Sequence, residues 1–249
     1  MFLPFIYIYT HINNLNYVYT SFIFLFDIGS GKQRYVDSFI INSTFSADTV
    51  FCNDMVTEII DVLNPITGKT WMDRNLGASG VGGAGDFYQW GRGSDGHQCY
   101  NSDTTTTLSS ADQPGHGYFI ITNQWGNRDW RSPSNQNLWQ GVGGINNPCP
   151  SGYRLPTLSE FNEETSSWEF QGNMISTAAN GTPLKFPSHG RRGGAGSGEG
   201  AGNYWNPNWG LGNYWTSTGK SVFWTGSNNN ITVSGSSPDS GFSVRCIKN

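Results

Sequence analysis

Few residues in this sequence have the types and spacing needed to bind a metal or to catalyse a reaction. His97 and Cys99 lie two positions apart, as half of a zinc site would require, but no second pair of ligands occurs at zinc-finger spacing. His116 and His189 stand alone among glycine-rich neighbours. We therefore predict a structural role for Cys99 and no metal ligation by His97.

Three other patterns could indicate catalysis or nucleotide binding, and each has a simpler interpretation. Residues 80–85 match G-x-G-x-x-G, but a dinucleotide site needs a strand before this motif and a helix after it, so we predict a surface loop. Serines flanked by glycine lie in flexible tracts and not in a G-x-S-x-G elbow. Glu160, Glu163 and Glu164 fall on one predicted helix, where we expect a solvated face.

The segment 147–160 combines the features expected of an anchor for the fold. Pro148 and Pro150 restrict the backbone on both sides of Cys149 and remove two backbone donors, which holds the thiol at a fixed point. Residues 153–155 then form a short extended step.

A helix is predicted directly after this anchor. Thr157 is a suitable N-cap, and Glu160 lies three residues later, where its side chain completes a capping box. The predicted helix runs from about Leu158 to Trp168.

The C-terminal residues 241–249 alternate apolar and polar side chains, which predicts a half-buried strand that carries Cys246. A bridge from Cys149 to Cys246 would close a loop of about a hundred residues and stabilise the domain by roughly 4 to 5 kcal/mol in the chain-entropy model. Cys52 and Cys99 then pair by elimination. Four cysteines in a glycine-rich chain of low charge imply an oxidising destination.

Further strands are predicted on both sides of the anchor. Residues 58–63 and 70–72 read as strand, turn and strand, with Gly68 supplying a positive φ. Residues 91–146 form a long loop region whose tryptophans, Trp125, Trp130 and Trp139, need burial and a hydrogen-bond partner. Residues 191–202 are predicted as a glycine-rich loop. The remaining predicted strands are residues 183–187, 204–205, 214–217 and 222–224.

Composition favours a loop-rich domain with an aromatic core. Of 249 residues, 33 are glycine, 14% are aromatic and only 13% are charged, which does not suit a helical bundle. The net charge of −4 provides no basic field for a nucleic acid backbone, so we predict no nucleic-acid partner. The length favours one domain, residues 51–249, preceded by an appendage of residues 1–50.

The appendage begins with an apolar and aromatic stretch, residues 1–26, that is interrupted by His11 and by asparagines. It lacks the positive charge of a signal peptide and the unbroken apolar length of a membrane helix. Three interpretations remain open: an atypical export or anchor segment, an extension from a misassigned start codon, and a strand-rich docking segment. Because the strands and helix are all predicted after Val56, a chain beginning near Met55 is expected to fold.

Six ordered blocks together resemble the Fibrobacter succinogenes major paralogous domain family. The blocks are residues 71–79, 85–92, 95–99, 129–133, 147–160 and 241–246. The resemblance implies an α+β, C-type lectin-like fold that is loop-rich and disulfide-stapled, with short antiparallel strands and one or two helices. The same fold underlies formylglycine-generating enzymes and variable receptor-binding proteins of some phages. The family's function is largely unassigned, so the resemblance brings no catalytic residues.

Many lectin-like domains hold calcium, and the sequence contains suitable oxygen ligands. The Glu-Pro-Asn and Trp-Asn-Asp runs of sugar-binding lectins do not occur. We therefore predict no cofactor, and the alternative is a structural Ca²⁺. Its candidate ligands are Asp86, Asp95, Asp103, Asp112 and Asp239.

The predicted function is non-enzymatic surface recognition or adhesion, on a bacterial surface or as a phage receptor-binding protein. The expected partner is a glycan or a cell-surface protein, and an oligomer with membrane or assembly contacts through residues 1–26 is compatible with the sequence. One alternative is a structural subunit of a surface appendage or virion. A formylglycine-generating-type enzyme is the other, and it would need a reactive cysteine pair.

The binding surface is predicted in the C-terminal loops, where asparagines alternate with aromatic residues as they do in antibody loops. Trp209 lies between Asn208 and Gly210, outside any predicted strand, whereas Trp215 and Trp224 are expected in the core. The predicted patch comprises Tyr204, Asn206, Asn208, Trp209, Asn228, Asn229 and Asn230.

Overall fold

The computed structural model describes residues 44–122, 128–168, 182, 184–194, 202–205, 211–224 and 231–249, together with the backbone of three earlier strands. These strands are β1 (Ile6–Asn13), β2 (Tyr17–Phe26) and β3 (Arg34–Val36), which form an antiparallel sheet in the order β1-β2-β3.

The rest of the described chain contains thirteen short strands and one α-helix, α1 (Leu158–Ser166). The strands are β4 (Asp61–Leu63), β5 (Thr70–Met72), β6 (Tyr88–Gln89), β7 (Thr104–Thr105), β8 (Phe119–Ile120), β9 (Tyr153–Arg154), β10 (Arg191–Arg192), β11 (Tyr204–Trp205), β12 (Gly212–Trp215), β13 (Lys220–Trp224), β14 (Ile231–Gly235), β15 (Gly241–Phe242) and β16 (Ile247–Lys248).

Small sheets connect parts of the chain that are far apart in sequence. The orders are β4-β5-β16-β9, β11-β10-β15-β6 and β12-β13-β14, all antiparallel, and β7 pairs with β8 in parallel. The architecture is therefore α+β, with small and mostly antiparallel sheets, one described helix and two disulfides. Strand β14 was not expected from the sequence.

The hairpin of β4 and β5 has the predicted turn. Asn64 Oδ1 accepts a hydrogen bond from the backbone N of Ile66 over 2.8 Å, and Gly68 has a φ of 67°. Strand β4 begins at Asp61, three residues later than predicted, and its register pairs Val62 with Trp71.

Helix α1 begins as predicted, with Thr157 as N-cap and a complete capping box with Glu160. It ends at Ser166, two residues earlier than predicted, and Ser167 Oγ donates to the carbonyl of Glu164 over 2.6 Å. The expected solvated face is wrong for Glu164, which is 1% exposed. Asn64 Nδ2 donates to its carboxylate over 2.7 Å, and burial raises the pKa of Glu164.

The C-terminal segment differs from the predicted half-buried strand. Two short strands, β15 and β16, flank an irregular stretch, and all residues from Gly241 to Ile247 are buried. The reason is Arg245, which is fully buried and donates from Nη1 to the carbonyl of Leu184 over 2.8 Å. Its Nε donates to Asn75 Oδ1 over 2.9 Å.

The same arginine explains why the predicted strand at residues 183–187 is absent from the described residues 184–187. The carbonyls of Leu184 and Lys185 point to the Arg245 guanidinium instead of to a neighbouring strand, and Lys185 has a φ of 45°. Residues 191–202, predicted as a loop, instead begin with β10.

Tryptophans dominate the core, and among the described residues most buried indoles have a hydrogen-bond acceptor, whereas Trp71 Nε1 has none. Trp130 Nε1 donates to the carbonyl of Trp90 over 2.7 Å, and Trp139 Nε1 donates to that of Asn146 over 2.9 Å. Trp215 and Trp224 are fully buried, as predicted. Trp125 lies outside the described residues.

Two disulfides hold the domain, with the pairing expected from the sequence: Cys52–Cys99 and Cys149–Cys246. All four cysteines of the chain are thus oxidised. Because stable disulfides persist in oxidising compartments, they indicate a non-cytoplasmic protein.

Residues 44–50, which the sequence analysis placed in the appendage, contact the domain. The carbonyl of Thr44 accepts from the backbone N of Ser151 over 2.7 Å, and Val50 N donates to the carbonyl of Ser94 over 2.7 Å. Phe45 packs against the core cluster that contains Cys149 and Trp139. The packed part of the chain therefore begins before the expected boundary at residue 51.

Candidate functional site

His97 has no ring nitrogen available for a metal or a proton transfer. It is fully buried, Nδ1 lies 2.6 Å from Asp95 Oδ1, and Nε2 accepts from the backbone N of Gln89 over 2.9 Å. Burial, assisted by the charge of Arg92, lowers the pKa of His97 to about 4. The ring is therefore neutral at pH 7, with the proton on Nδ1, and its role is structural.

A cleft of about 720 Å³ opens beside Asp95, the hydrogen-bond partner of this histidine, between residues 44–50 and residues 142–151. Asp48, Asp95 and Asp112 lie among its walls. Two of these carboxylates have arginine partners. Arg92 Nη2 lies 2.7 Å from Asp95 Oδ2, and Arg131 Nε lies 2.8 Å from Asp112 Oδ1.

Asp95 is ionised despite its environment. Burial alone would raise its pKa, but hydrogen bonding from neutral His97 and the charge of Arg92 hold the pKa well below its usual range. Within the described segments, no group of three or more His, Cys, Asp or Glu side chains is arranged to hold a metal ion. Two of the three carboxylates in the cleft walls, Asp95 and Asp112, are thus already paired with arginines.

Asp86, another candidate calcium ligand, has a different environment. Its carboxyl group packs directly on the Cα of Gly77, where an added Cβ would lie 2.2 Å from Asp86 Cγ. Burial alone raises the pKa of Asp86 to about 7. This carboxyl group is therefore packed against the backbone and is about half protonated at neutral pH.

The structure describes one member of the predicted binding patch, Tyr204 in β11. The other predicted residues lie outside the described parts of the chain. They are Asn206, Asn208, Trp209, Asn228, Asn229 and Asn230.

Tyr204 belongs to a line of three aromatic rings that runs from the core to the surface. Its ring centroid lies 5.2 Å from that of Phe87, which is 3% exposed, and 5.2 Å from that of Tyr100, which is 67% exposed. The rings of Tyr100 and Tyr204 meet at 74°. We call these two tyrosines the aromatic corner. The hydroxyl of Tyr204 donates to the carbonyl of His189 over 2.7 Å, which fixes its ring.

A buried arginine holds the loop that presents Tyr100. The backbone N of Ser102 donates to the carbonyl of Cys99 over 3.0 Å, so Tyr100 occupies a tight turn. Arg192 Nη1 donates to the same Cys99 carbonyl over 3.1 Å, and Nη2 donates to the carbonyl of Ser102 over 2.7 Å. Burial lowers the pKa of Arg192 to about 10, so the guanidinium stays charged at neutral pH.

The Cys52–Cys99 bridge and strand β10 therefore fix both sides of this turn. An exposed aromatic side chain usually needs to lose rotational freedom when it binds a partner. At Tyr100 the backbone of the turn is already ordered before a partner binds. The arrangement can offer an apolar ring face to a ligand at low entropic cost.

Sequence reasoning missed Tyr100 and Arg192. The signal for Tyr100 was local: one aromatic residue between a bridged cysteine and the polar run 101–107. The signal for Arg192 was absent, because its partners Cys99 and Ser102 lie about ninety residues away.

Comparisons with family models, curated proteins and solved structures each find no match to this chain. The resemblance to the Fibrobacter succinogenes major paralogous domain family therefore rests on the six sequence blocks. Within the part of the chain that the structure describes, helices fall short of the length and apolar character that crossing a membrane requires.

Proposed function

We propose that the chain is a non-enzymatic, extracellular recognition module that binds a glycan or a protein receptor through the aromatic corner and the adjoining C-terminal loops. The proposal includes a C-type lectin-like fold and membership of the Fibrobacter succinogenes major paralogous domain family, on a bacterial surface or a virion. The observation that carries it is Tyr100, which is 67% exposed although its turn is held by a disulfide and by Arg192.

Two further observations support a binding role over an enzymatic one. All four cysteines are bridged, whereas formylglycine-type chemistry needs a reactive thiol. The buried His97 has both ring nitrogens engaged, so it is not positioned as a general base.

A structural subunit of an appendage or virion is the second candidate, and a specific surface favours it. Four large apolar side chains are exposed along and beside edge strand β4. They are Val56, Ile60, Leu63 and Ile66, with exposed fractions of 44% to 72%. An exposed apolar edge can pair with another subunit.

The test compares two alanine variants at exposed positions. Tyr100→Ala should abolish binding of the full chain to cell surfaces, because it removes the ring and leaves the turn intact. Ile66→Ala, in the β4–β5 turn, should bind like the wild type and serves as the matched control. Loss of binding in Ile66→Ala together with a change in oligomeric state, measured by light scattering, would favour the assembly role instead.

A further inference from the structure

The exposed side chains around the aromatic corner are mostly polar. Within residues 96–107, 188–194 and 202–204, whose side chains the structure describes, Tyr100 is the sole large apolar side chain that is exposed. A protein interface of standard size buries about 800 Å² per partner around several clustered anchors. One exposed ring does not supply such a cluster.

One ring is sufficient for a sugar. The C–H groups on one face of a pyranose carry a small positive charge, and the face of a tyrosine ring carries the negative lobe of its quadrupole. Since the rings of Tyr100 and Tyr204 meet at 74°, a pyranose stacked on one ring would meet the other along its edge.

The polar residues beside Tyr100 suit hydroxyl groups. Asn101, Asp103 and Thr104 follow it in the chain and are all exposed. Amide and hydroxyl groups both donate and accept hydrogen bonds, as the hydroxyls of a sugar do.

The turn that carries Tyr100 offers no accessible cation to an acidic ligand, and Arg191 in the neighbouring strand β10 is half-buried. Residues 99–107 contain no lysine or arginine, and Arg192 beneath them is 3% exposed with its donors directed at backbone carbonyls. Recognition of a carboxylate or sulfate group would need an accessible cation. An uncharged sugar needs no such cation.

We infer that the aromatic corner binds the face of a neutral pyranose ring, so that the ligand of this module is an uncharged glycan. This inference rests on the proposed recognition function and narrows its ligand to one chemical class. Tyr100 supplies the stacking face, Tyr204 supports it, and Arg192 is a positioning residue that holds the turn.

The experiment uses the full chain on an array of neutral cello-, xylo- and galacto-oligosaccharides with sialylated and sulfated glycans beside them. The strongest neutral glycan is then titrated by calorimetry. We expect neutral glycans to bind, Tyr100→Phe to stay within about threefold of the wild type, and Tyr100→Ala to weaken binding at least about tenfold. The melting temperature of both variants should be unchanged.

Arg192→Lys provides a second readout because it keeps the charge but loses the fork of donors. We expect weaker glycan binding although Tyr100 is present, together with increased backbone mobility at residues 99–102 by NMR. Wild-type affinity in this variant, with an ordered turn, would contradict the positioning role.

Three results overturn the inference, and only the third also overturns the proposed function. If cell binding survives enzymatic removal of glycans and still depends on Tyr100, the chain is a recognition module for a protein and the glycan inference fails. If only acidic glycans bind, the ligand class is wrong. If the chain binds neither glycans nor cells, the recognition function itself fails.

Discussion

Asn64 and Glu164, which lie a hundred residues apart, join the β4–β5 turn to helix α1 through a hydrogen bond of 2.7 Å from Nδ2 to Oε2. The same Nδ2 donates to Ser167 Oγ over 2.9 Å, and Oδ1 accepts from the turn. The amide group therefore solvates a buried carboxyl group and closes a turn at once.

Asn64→Ala is expected to destabilise the domain by about 3 kcal/mol, because it leaves the buried Glu164 carboxyl with one donor fewer and opens the turn. Chemical denaturation measures this loss. Ile66→Ala, in the same turn but 72% exposed, should change stability by less than about 0.5 kcal/mol. Equal effects in the two variants would contradict the role assigned to Asn64.

Asp86→Asn should stabilise the domain, and increasingly so as the pH rises. In the unfolded chain this carboxyl ionises near its ordinary pKa of 3.8, whereas in the folded domain it keeps its proton up to about pH 7. The folded state thus binds more protons in this window, and the wild type loses stability as the pH increases from about 4 to about 7. At pH 8 the variant should exceed the wild type by up to about 4 kcal/mol.

The control for Asp86→Asn is the same comparison at pH 4, where wild type and variant should be equally stable because the carboxyl group is protonated in the folded state. A constant difference from pH 4 to pH 8, measured by urea unfolding, would show that burial does not raise the pKa of Asp86.

His97 should make the folding stability change with pH in the opposite direction, over an overlapping pH range. Its folded pKa of about 4 lies below the ordinary 6.5, so the unfolded state binds more protons between these values. Stability contributed by neutral His97 is complete above about pH 6.5 and is lost as the pH falls towards 4, on the order of 3 kcal/mol in all. Nitrogen chemical shifts should report a neutral ring, protonated on Nδ1, at pH 5.5, and a charged imidazolium at that pH would refute the assignment.

The two bridges should differ in their effect on binding more than on stability. Replacing Cys149 and Cys246 by serine should cost about 5 kcal/mol, and replacing Cys52 and Cys99 about 4 kcal/mol, for sequence separations of 97 and 47 residues. Only the second change releases the turn that carries Tyr100. Affinity at a temperature where both variants are folded should therefore fall for Cys52→Ser/Cys99→Ser alone.

Truncation tests the role of residues 44–54. A chain that begins at Thr44 keeps the Cys52–Cys99 bridge and the Phe45 contact with the core, and it should unfold cooperatively. A chain that begins at Met55 loses both, leaves Cys99 unpaired, and should melt at a lower temperature. Scanning calorimetry under oxidising conditions compares them, and equal melting temperatures would show that residues 44–54 contribute nothing to stability.

Local features of this fold were predictable from the sequence, and distant partnerships were not. The capping box of Thr157 and Glu160 and the turn at Gly68 depend on residues within a few positions of each other. Arg245 looked like the solvated side of a strand, because its acceptors Asn75 and Leu184 lie 170 and 61 residues away. Glu164 was misjudged for the same reason, since its partner Asn64 lies in another element.

The same distinction between local features and distant partnerships applies to the candidate site. Tyr204 was included in the predicted patch because aromatic and asparagine residues alternate around it, and the structure shows it half-buried beside Tyr100. The importance of Tyr100 depends on exposure and on a clamp from Arg192, and neither property is visible in residue order.

The sheet β4-β5-β16-β9 has a consequence for the order in which the chain can fold. Its inner strand β16 lies between β5 and β9, and Ile247 pairs with both Trp71 and Arg154. The sheet therefore cannot form before Ile247 has been synthesised. Cys246 is next to that strand and closes the bridge to Cys149. During synthesis this sheet and the Cys149–Cys246 bridge therefore cannot form until residue 247 has left the ribosome, whereas both cysteines of the Cys52–Cys99 bridge emerge about 150 residues earlier.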